Sequence, residues 1–236
     1  MSVPVVLALG GNVGDVRVTG EAALAQLHET PGLAVEQVSS WYSTEPVGCE
    51  GRFLNAAARL HSELTPTQLL LRMHEIESLH GRERTGHWTP RPLDLDLVVF
   101  GQWKIEHPRL QVPHPAAWCR RFVLDPVCEV AGQTVHPSFR VTFEALRTRL
   151  RSRPLAISWA NEQLRDAVIE REILNRFGAQ ICWVESAAFS IVHFAPRSDS
   201  EWKPFEVALP SDLSEARRIV HETLTALLDE PLVVNH

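Results

Sequence analysis

The stretch Arg91-Pro92-Leu93-Asp94-Leu95-Asp96-Leu97-Val98-Val99-Phe100-Gly101 constrains this chain more than any other. Alternation from Leu93 to Leu97, followed by an unbroken apolar run, predicts a strand set deep in a sheet. Side chains alternate across a strand, so Leu93, Leu95 and Leu97 face one side and Asp94 and Asp96 the other. Carboxylates two residues apart on one face stand about 7 Å apart at the backbone. Side-chain rotation can bring them within reach of one divalent ion, or of two ions about 3.5–4 Å apart. Left unpaired on a core strand they would be costly, so they require cations, from metal or from arginine. The plainer reading is a structural pair satisfied by arginine.

The neighbourhood favours metal and phosphate. Arg82, Arg84 and Arg91 stand just upstream, and Arg109, His114, Arg120 and Arg121 just downstream. Each guanidinium offers a planar donor fork to phosphate oxygens, so carboxylates ringed by arginine predict a metal–nucleotide site.

The rest of the chain sets bounds. Its 236 residues, 44% hydrophobic, suffice for a packed core, and no apolar run reaches the length of a membrane span. Met1-Ser2-Val3-Pro4 lacks the basic stretch and cleavage site of a signal peptide. Cys49, Cys119, Cys128 and Cys182 form no Cys-x-x-Cys pair, which predicts free thiols and a cytoplasmic setting. Residues 1–153 balance basic against acidic side chains, so the net charge of −6 belongs to residues 154–236 and argues against a nucleic-acid partner. The arginine-rich segment 147–153 leads into Pro154 and marks a boundary between two units. A chain ending at Arg153 is therefore expected to stay soluble and active. The alternative is that Val220, Leu224 and Leu227 pack onto the first unit or onto a second chain, in which case truncation exposes apolar surface and causes aggregation.

Taken in order, Val5 to Leu9 is a short strand that runs into Gly10-Gly11-Asn12-Val13-Gly14-Asp15. That loop is neither a dinucleotide fingerprint nor a phosphate loop, and it fits a tight turn as well as a close approach to ligand. Glu21 to His28 predicts the first helix, and Leu33 to Ser43 a strand. After a loop at 44–51, Phe53 to Leu60 resumes a strand in which Asn55 either reads the edge of a heterocycle or satisfies loop backbone. Thr65-Pro66 starts a helix with Leu69, Met73 and Ile76 inward and Gly81 as its stop. The basic loop from Arg82 to Arg91 is expected to be long and to close over ligand. In the tail, Asn161 to Phe177 predicts one helix, with Gln180 to Val184 and Ser190 to Phe194 as strands. Asp212 caps a last helix whose apolar face is Leu213, Ala216, Val220, Leu224 and Leu227. The order helix–strand–strand–helix implies a small α+β module without a carboxylate or Cys/His cluster, suited to dimerisation or protein docking.

Several ordered segments share a resemblance. They are Gly-Gly-Asn-Val-Gly-Asp, Ser40-Trp41-Tyr42-Ser43-Thr44-Glu45-Pro46-Val47-Gly48, Phe53-Leu54-Asn55-Ala56 and Glu77-x-x-x-Gly81-Arg82-x-Arg84. Trp88-Thr89-Pro90-Arg91-Pro92-Leu93-Asp94-Leu95-Asp96 and Val112-Pro113-His114 complete the set. Over residues 3–150 the chain resembles the 6-hydroxymethyl-7,8-dihydropterin pyrophosphokinases of folate biosynthesis. The resemblance implies an α+β, ferredoxin-like domain at 1–153, followed by the accessory α+β module at 154–236. It also implies transfer of pyrophosphate from ATP to the pterin hydroxymethyl group, leaving AMP. By that resemblance Asp94 and Asp96 hold two Mg2+ ions, and Arg82, Arg91 and His114 contact phosphates. Glu77, Arg84, Trp88, Arg109 and Arg120 lie on the nucleotide side. Thr44, Val47 and Asn55 read the pterin edge, and Phe53 and Phe122 sandwich its ring. Thr89, where the family usually has glycine, and Pro115, where an aromatic is common, depart from the pattern. A two-metal nucleotidyltransferase and a pterin- or nucleotide-binding protein without turnover are the alternatives.

Overall fold

In the computed structural model, which describes residues 2–46, 51–82, 90–169, 171–187, 190–197 and 205–234, the first strand is central. The first half runs β1 (Val3–Gly11), α1 (Val16–His28), β2 (Leu33–Val38), β3 (Tyr42–Thr44), β4 (Phe53–Ser62), α2 (Pro66–Leu79) and β5 (Asp94–Phe100). β1 lies between β4 and β5, antiparallel to both, and β4 carries β2 and β3 on its far side. A small hairpin of β6 (Ile105–His107) and β7 (Leu110–Val112) precedes α3 (Arg121–Ala131) and α4 (Phe143–Arg151). The architecture is α+β, as expected.

The sheet has two different faces. Leu7 and Leu9 of β1 and Leu95 and Leu97 of β5 pack against Leu24, Leu27, Leu69, Met73 and Ile76 of α1 and α2. On the opposite face Val6, Ala8, Ala57 and Val98 pack under Leu124, Val127 and Val130 of α3. The predicted alternation of β5 holds: its leucines are buried, and Asp94 and Asp96 point to the α3 face. Helix starts follow local chemistry. Thr65 and Gln68 form a reciprocal capping box with Pro66 in the first turn. Asp15 accepts from the Val18 amide at 3.1 Å, so α1 begins earlier than the expected Glu21. Gly81, at φ +82°, ends α2 in the left-handed conformation.

The strand expected over 33–43 is broken into β2 and β3. Ser39 donates its amide to Ala57 O at 2.9 Å and accepts the Ala57 amide on its hydroxyl at 2.8 Å, replacing the ladder at that point.

The tail differs more from expectation. It contains β8 (Leu155–Trp159), α5 (Glu162–Val168), α6 (Arg171–Phe177), β9 (Ile181–Trp183), β10 (Val192–Pro196), β11 (Glu206–Leu209), α7 (Leu213–Leu228) and β12 (Leu232–Val233). The single helix over 161–177 is two helices, because the chain turns extended at Ile169 (φ −74°, ψ 116°), the second of two consecutive β-branched residues. Instead of two strands between two helices, β11, β10, β8 and β9 form a parallel sheet in that order. β12 leaves the tail altogether and pairs antiparallel with β3.

The tail shares its core with the first half. Ile157, Phe194, Val220, Leu224 and Leu227 belong to the same buried cluster as Trp118, Leu124 and Val127. The expected apolar face of α7 is covered within the chain, and only Leu213 of its five residues is exposed. No helix among the described residues is long and apolar enough to cross a membrane.

Candidate active site

One row of residues crosses the sheet where the two halves of the site meet. Gly10 pairs with Asn55 of β4 on one side and with Asp94 of β5 on the other. Directly paired residues project to the same face, and strands lie about 4.8 Å apart. Asn55 and Asp94 therefore flank a trough about 10 Å wide whose floor is glycine. A Cβ on Gly10 would come within 2.7 Å of Asn55 Oδ1, and one on Gly11 within 2.5 Å of Pro92 O. The paired glycines are thus a requirement of space, where sequence left a plain turn equally open.

On the β5 side, Arg82 bonds both Glu77 Oε1 and Asp94 Oδ1, and Arg91 Nη2 stands 2.9 Å from Asp94 Oδ2. Burial, then the Asp96 charge, push the Asp94 carboxyl above its ordinary range, and the two arginines oppose that shift. Glu77, 1% exposed, also accepts the Leu95 amide at 2.8 Å. It therefore fixes the start of β5 and aims Arg82. Asn12 clamps the other approach: its amide donates to Arg91 O at 3.0 Å, and its Oδ1 accepts the Arg91 amide at 2.9 Å. Sequence quoted Asn12 only as part of a loop, because nothing local to it reveals a partner near residue 91.

Asp96 is more open, with 41% of its side chain exposed, and His114 Nε2 lies 4.0 Å from its Oδ2. The His114 amide donates to Val98 O at 2.9 Å, tying the segment to the outer edge of β5. Its Nδ1 accepts the Ala116 amide at 3.1 Å, so the neutral ring carries its proton on Nε2, toward Asp96. Burial, reinforced by Arg120, lowers the His114 pKa to about 3, and the ring is a neutral donor near pH 7.

On the β4 side, Asn55 Nδ2 donates to Thr44 Oγ1 at 2.8 Å, both residues being buried. This bond fixes which end of the amide faces the trough. Phe53 pairs in register with Thr44, and Phe122 lies in the first turn of α3 with the Arg120 guanidinium 5.7 Å from its ring centre. Both rings are partly exposed.

The structure thus gathers Arg82, Arg91, Asp94, Asp96, His114, Arg120, Glu77, Asn55 and Thr44. Arg109 sits exposed at the β6–β7 turn, and among the described residues no ion pair links it to Asp94 or Asp96. Arg121 is turned away into a buried pair with Asp125 at 2.8 Å. Val47, Arg84 and Trp88, with Thr89, lie outside the described residues. In the tail, where no cluster was expected, Ser158 Oγ and His193 Nδ1 are 2.8 Å apart, but Ser158 is 1% exposed and offers no accessible hydroxyl.

Among the described residues no group of three or more His, Cys, Asp or Glu is arranged to hold a metal. Two carboxylates on one strand face, with acceptor-only oxygens, do fit a hard cation that takes its remaining ligands from substrate phosphate and water. The site can therefore bind a metal–polyphosphate beside a planar, hydrogen-bonding ring.

Comparison with known proteins agrees. The chain is 42% identical over 129 residues to the 2-amino-4-hydroxy-6-hydroxymethyldihydropteridine pyrophosphokinase of Bacillus subtilis, covering 54% of this chain and 77% of that protein. It is 39% identical over 138 residues to the protein of the same name in Pseudomonas aeruginosa, covering 58% and 85%. Among solved structures it superposes on the Plasmodium falciparum HPPK-DHPS with pterin and p-hydroxybenzoate at a TM-score of 0.51 and 14% identity. That match covers 94% of this chain but 59% of the other, and at such identity it shows the fold alone. The family profile described as 7,8-dihydro-6-hydroxymethylpterin-pyrophosphokinase (HPPK) matches residues 6–132, more than half of the chain, and the chain belongs to that family.

Proposed function

We propose that the protein transfers pyrophosphate from ATP to the hydroxymethyl group of 6-hydroxymethyl-7,8-dihydropterin, giving AMP and the pterin diphosphate in folate biosynthesis. The observation that carries this reading is the row Asn55–Gly10–Asp94, which sets a ring-reading amide and a metal-binding carboxylate on opposite sides of one open trough. The first half, with three strands between its two helices and one strand on either side of them, is read as a variant of the ferredoxin-like order.

In this reading the pterin edge bonds the Asn55 amide beside Thr44, and its ring lies between Phe53 and Phe122, with Val47 on the same side. Offset stacking adds about 0.5–1.5 kcal/mol beyond area burial. The hydroxymethyl group then points along the trough toward Asp94. Asp94 and Asp96 hold Mg2+, two ions in this proposal, which when bound supplies charge neutralisation and Lewis-acid chemistry at the triphosphate. Arg82 and Arg91, counter-ions to Asp94 in this structure, turn to phosphate oxygens as nucleotide arrives. His114 donates its Nε2 proton to a phosphate oxygen as a hydrogen bond, and Glu77 returns Arg82 to its place. Arg84, Trp88, Arg109 and Arg120 are assigned to the nucleotide side. The loop between Arg82 and Arg91, whose residues 83–89 lie outside the described residues, is assigned the role of excluding water, which would otherwise compete with the pterin alcohol. A cytoplasmic setting belongs to the same reading, with Cys119, Cys128 and Cys182 as free thiols. Homodimerisation or protein docking through the C-terminal module would have to use a surface other than the buried apolar face of α7.

The test is to incubate the full chain with ATP, Mg2+ and the reduced pterin alcohol and to resolve the products. AMP with pterin diphosphate is expected. Release of inorganic pyrophosphate would instead identify a nucleotidyltransferase, and the absence of both with measurable pterin binding would leave a binding protein.

A further inference from the structure

The last elements of the chain reach back to the strand that carries Thr44. β12 pairs with β3 in the register Leu232–Ser43 and Val233–Tyr42, and the Val234 amide donates to Trp41 O at 2.8 Å. On its other side β3 pairs with β4, placing Tyr42 opposite Asn55 and Thr44 opposite Phe53. β3 is therefore held between the strand that bears the ring-reading amide and a strand more than 180 residues away in sequence. The side chains of β12 explain little of this contact, since Leu232 is 62% exposed and Val233 49%. What β12 contributes is its backbone ladder.

That ladder hangs from a rigid support. Ala216, Val220, Leu224 and Leu227 of α7 are fully buried in the core shared with α3. Asp229, at the C-terminal end of α7 and 8% exposed, donates its amide to Thr225 O at 2.9 Å. Its Oδ1 faces the Glu45 amide at 3.5 Å, and its Oδ2 is buried and has no hydrogen-bond partner among the described residues. Glu45 is the residue after Thr44 and opens the loop toward Val47. A buried carboxylate aimed at this amide ties the end of β3 to the end of α7.

We propose that α7 and β12 are a positioning element for the pterin half of the site, with Asp229 the residue that fixes the backbone after Thr44. The family match covers residues 6–132 and ends before this element begins. The inference rests on the pyrophosphokinase reading for its kinetic consequence, but not for the contact itself. Loss of the tie lets β3 drift and breaks the Thr44–Asn55 bond, which weakens pterin binding and leaves the β5 side intact.

The test uses the full chain with Asp229→Ala and Asp229→Asn. Asp229→Ala is expected to raise KM for the pterin about tenfold, the equivalent of roughly one hydrogen bond, with KM for ATP within about twofold. Asp229→Asn keeps an acceptor and is expected to stay near wild type. Hydrogen exchange of the Tyr42 to Glu45 amides is expected to quicken in Asp229→Ala and not in Asp229→Asn. Equal rises in both KM values, or a rise in pterin KM without faster exchange, would overturn the proposal, as would no change in either. Should Asp229→Ala fail to fold, Val234→Pro removes the donor to Trp41 at a partly exposed residue and is read by the same two measurements. If the wild-type chain makes no AMP, the pyrophosphokinase reading falls, and the exchange comparison alone decides whether α7 and β12 hold β3.

Discussion

Arg82 and Arg91 supply at Asp94 the positive charge that a buried carboxylate needs, whereas Asp96 meets solvent and His114. The two aspartates should therefore respond differently to neutralisation. Asp96→Asn is expected to cut AMP formation by ~10²–10³-fold or more and to leave the ligand-free Tm within about 2 °C, because an amide binds hard cations poorly and this side chain is already partly hydrated. Asp94→Asn is expected to lose as much turnover and several degrees of Tm besides, since it leaves two partly buried guanidinium groups short of a partner. Product chromatography and thermal melts of both variants check this; wild-type AMP release by either at saturating Mg2+ would sink the metal assignment. Asp229 carries a separate pH signature. Burial raises its pKa to about 6, so the folded chain holds that proton more tightly than the unfolded chain. Wild-type stability must then fall as pH rises from the ordinary carboxylate range through about 6, a loss that Asn cannot show. The Tm of Asp229→Asn relative to wild type should accordingly increase between pH 5 and pH 8.

At the scale of elements, β1 ends in two glycines because its neighbours leave no room for a side chain. Gly10→Ala is expected to displace the Asn55 amide and raise KM for the pterin more than KM for ATP. Gly11→Ala presses on the Pro92 carbonyl just before Asp94, so it should lower kcat and Tm together. Steady-state kinetics with each substrate varied in turn separate the two, and identical effects on both KM values would refute the division of the trough. The elements legible in sequence are those whose signal is local: the alternation of β5, the Thr65-Pro66 start of α2, and the Asp212 cap of α7. The shared face of Asp94 and Asp96, with Arg91 and His114 beside it, was likewise legible from strand alternation and clustered arginine, and the roles of these residues belong to the proposal. Asn12 and Asp229 were not, since each acts on a backbone amide far away in sequence. β12 is two residues long and β8 five, too short for a periodic pattern to stand out. The parallel tail sheet was misread because two of its four strands, β8 and β11, were missed.

At the scale of the molecule, the boundary at Arg153 separates secondary-structure elements but not cores. Of the two outcomes expected for a chain ending there, the packing of Val220, Leu224 and Leu227 against the cluster of α3 favours the second, exposure of apolar surface. Such a chain would expose Leu124, Val127 and Trp118 to water and is expected to aggregate. A milder test is Leu224→Ala in the full chain, which should destabilise the whole protein by about 2–5 kcal/mol. A single denaturation transition, followed by signals from both halves, would confirm one cooperative unit. Two separate transitions, with only the later part of the chain weakened, would refute it.

The pairing of β12 with β3 also bears on how the chain is made. Residue 42 emerges from the ribosome long before residue 233, and at ordinary synthesis speeds of about 5–20 residues per second the interval is roughly 10–40 s. Throughout that interval β3 is a short strand with an open edge, a template for pairing with other nascent chains. The Asn55–Thr44 side of the trough is thus completed last, by residues translated after Asp94, Asp96 and His114. During synthesis a newborn chain gains its carboxylate–arginine half before the half assigned in the proposal to the ring.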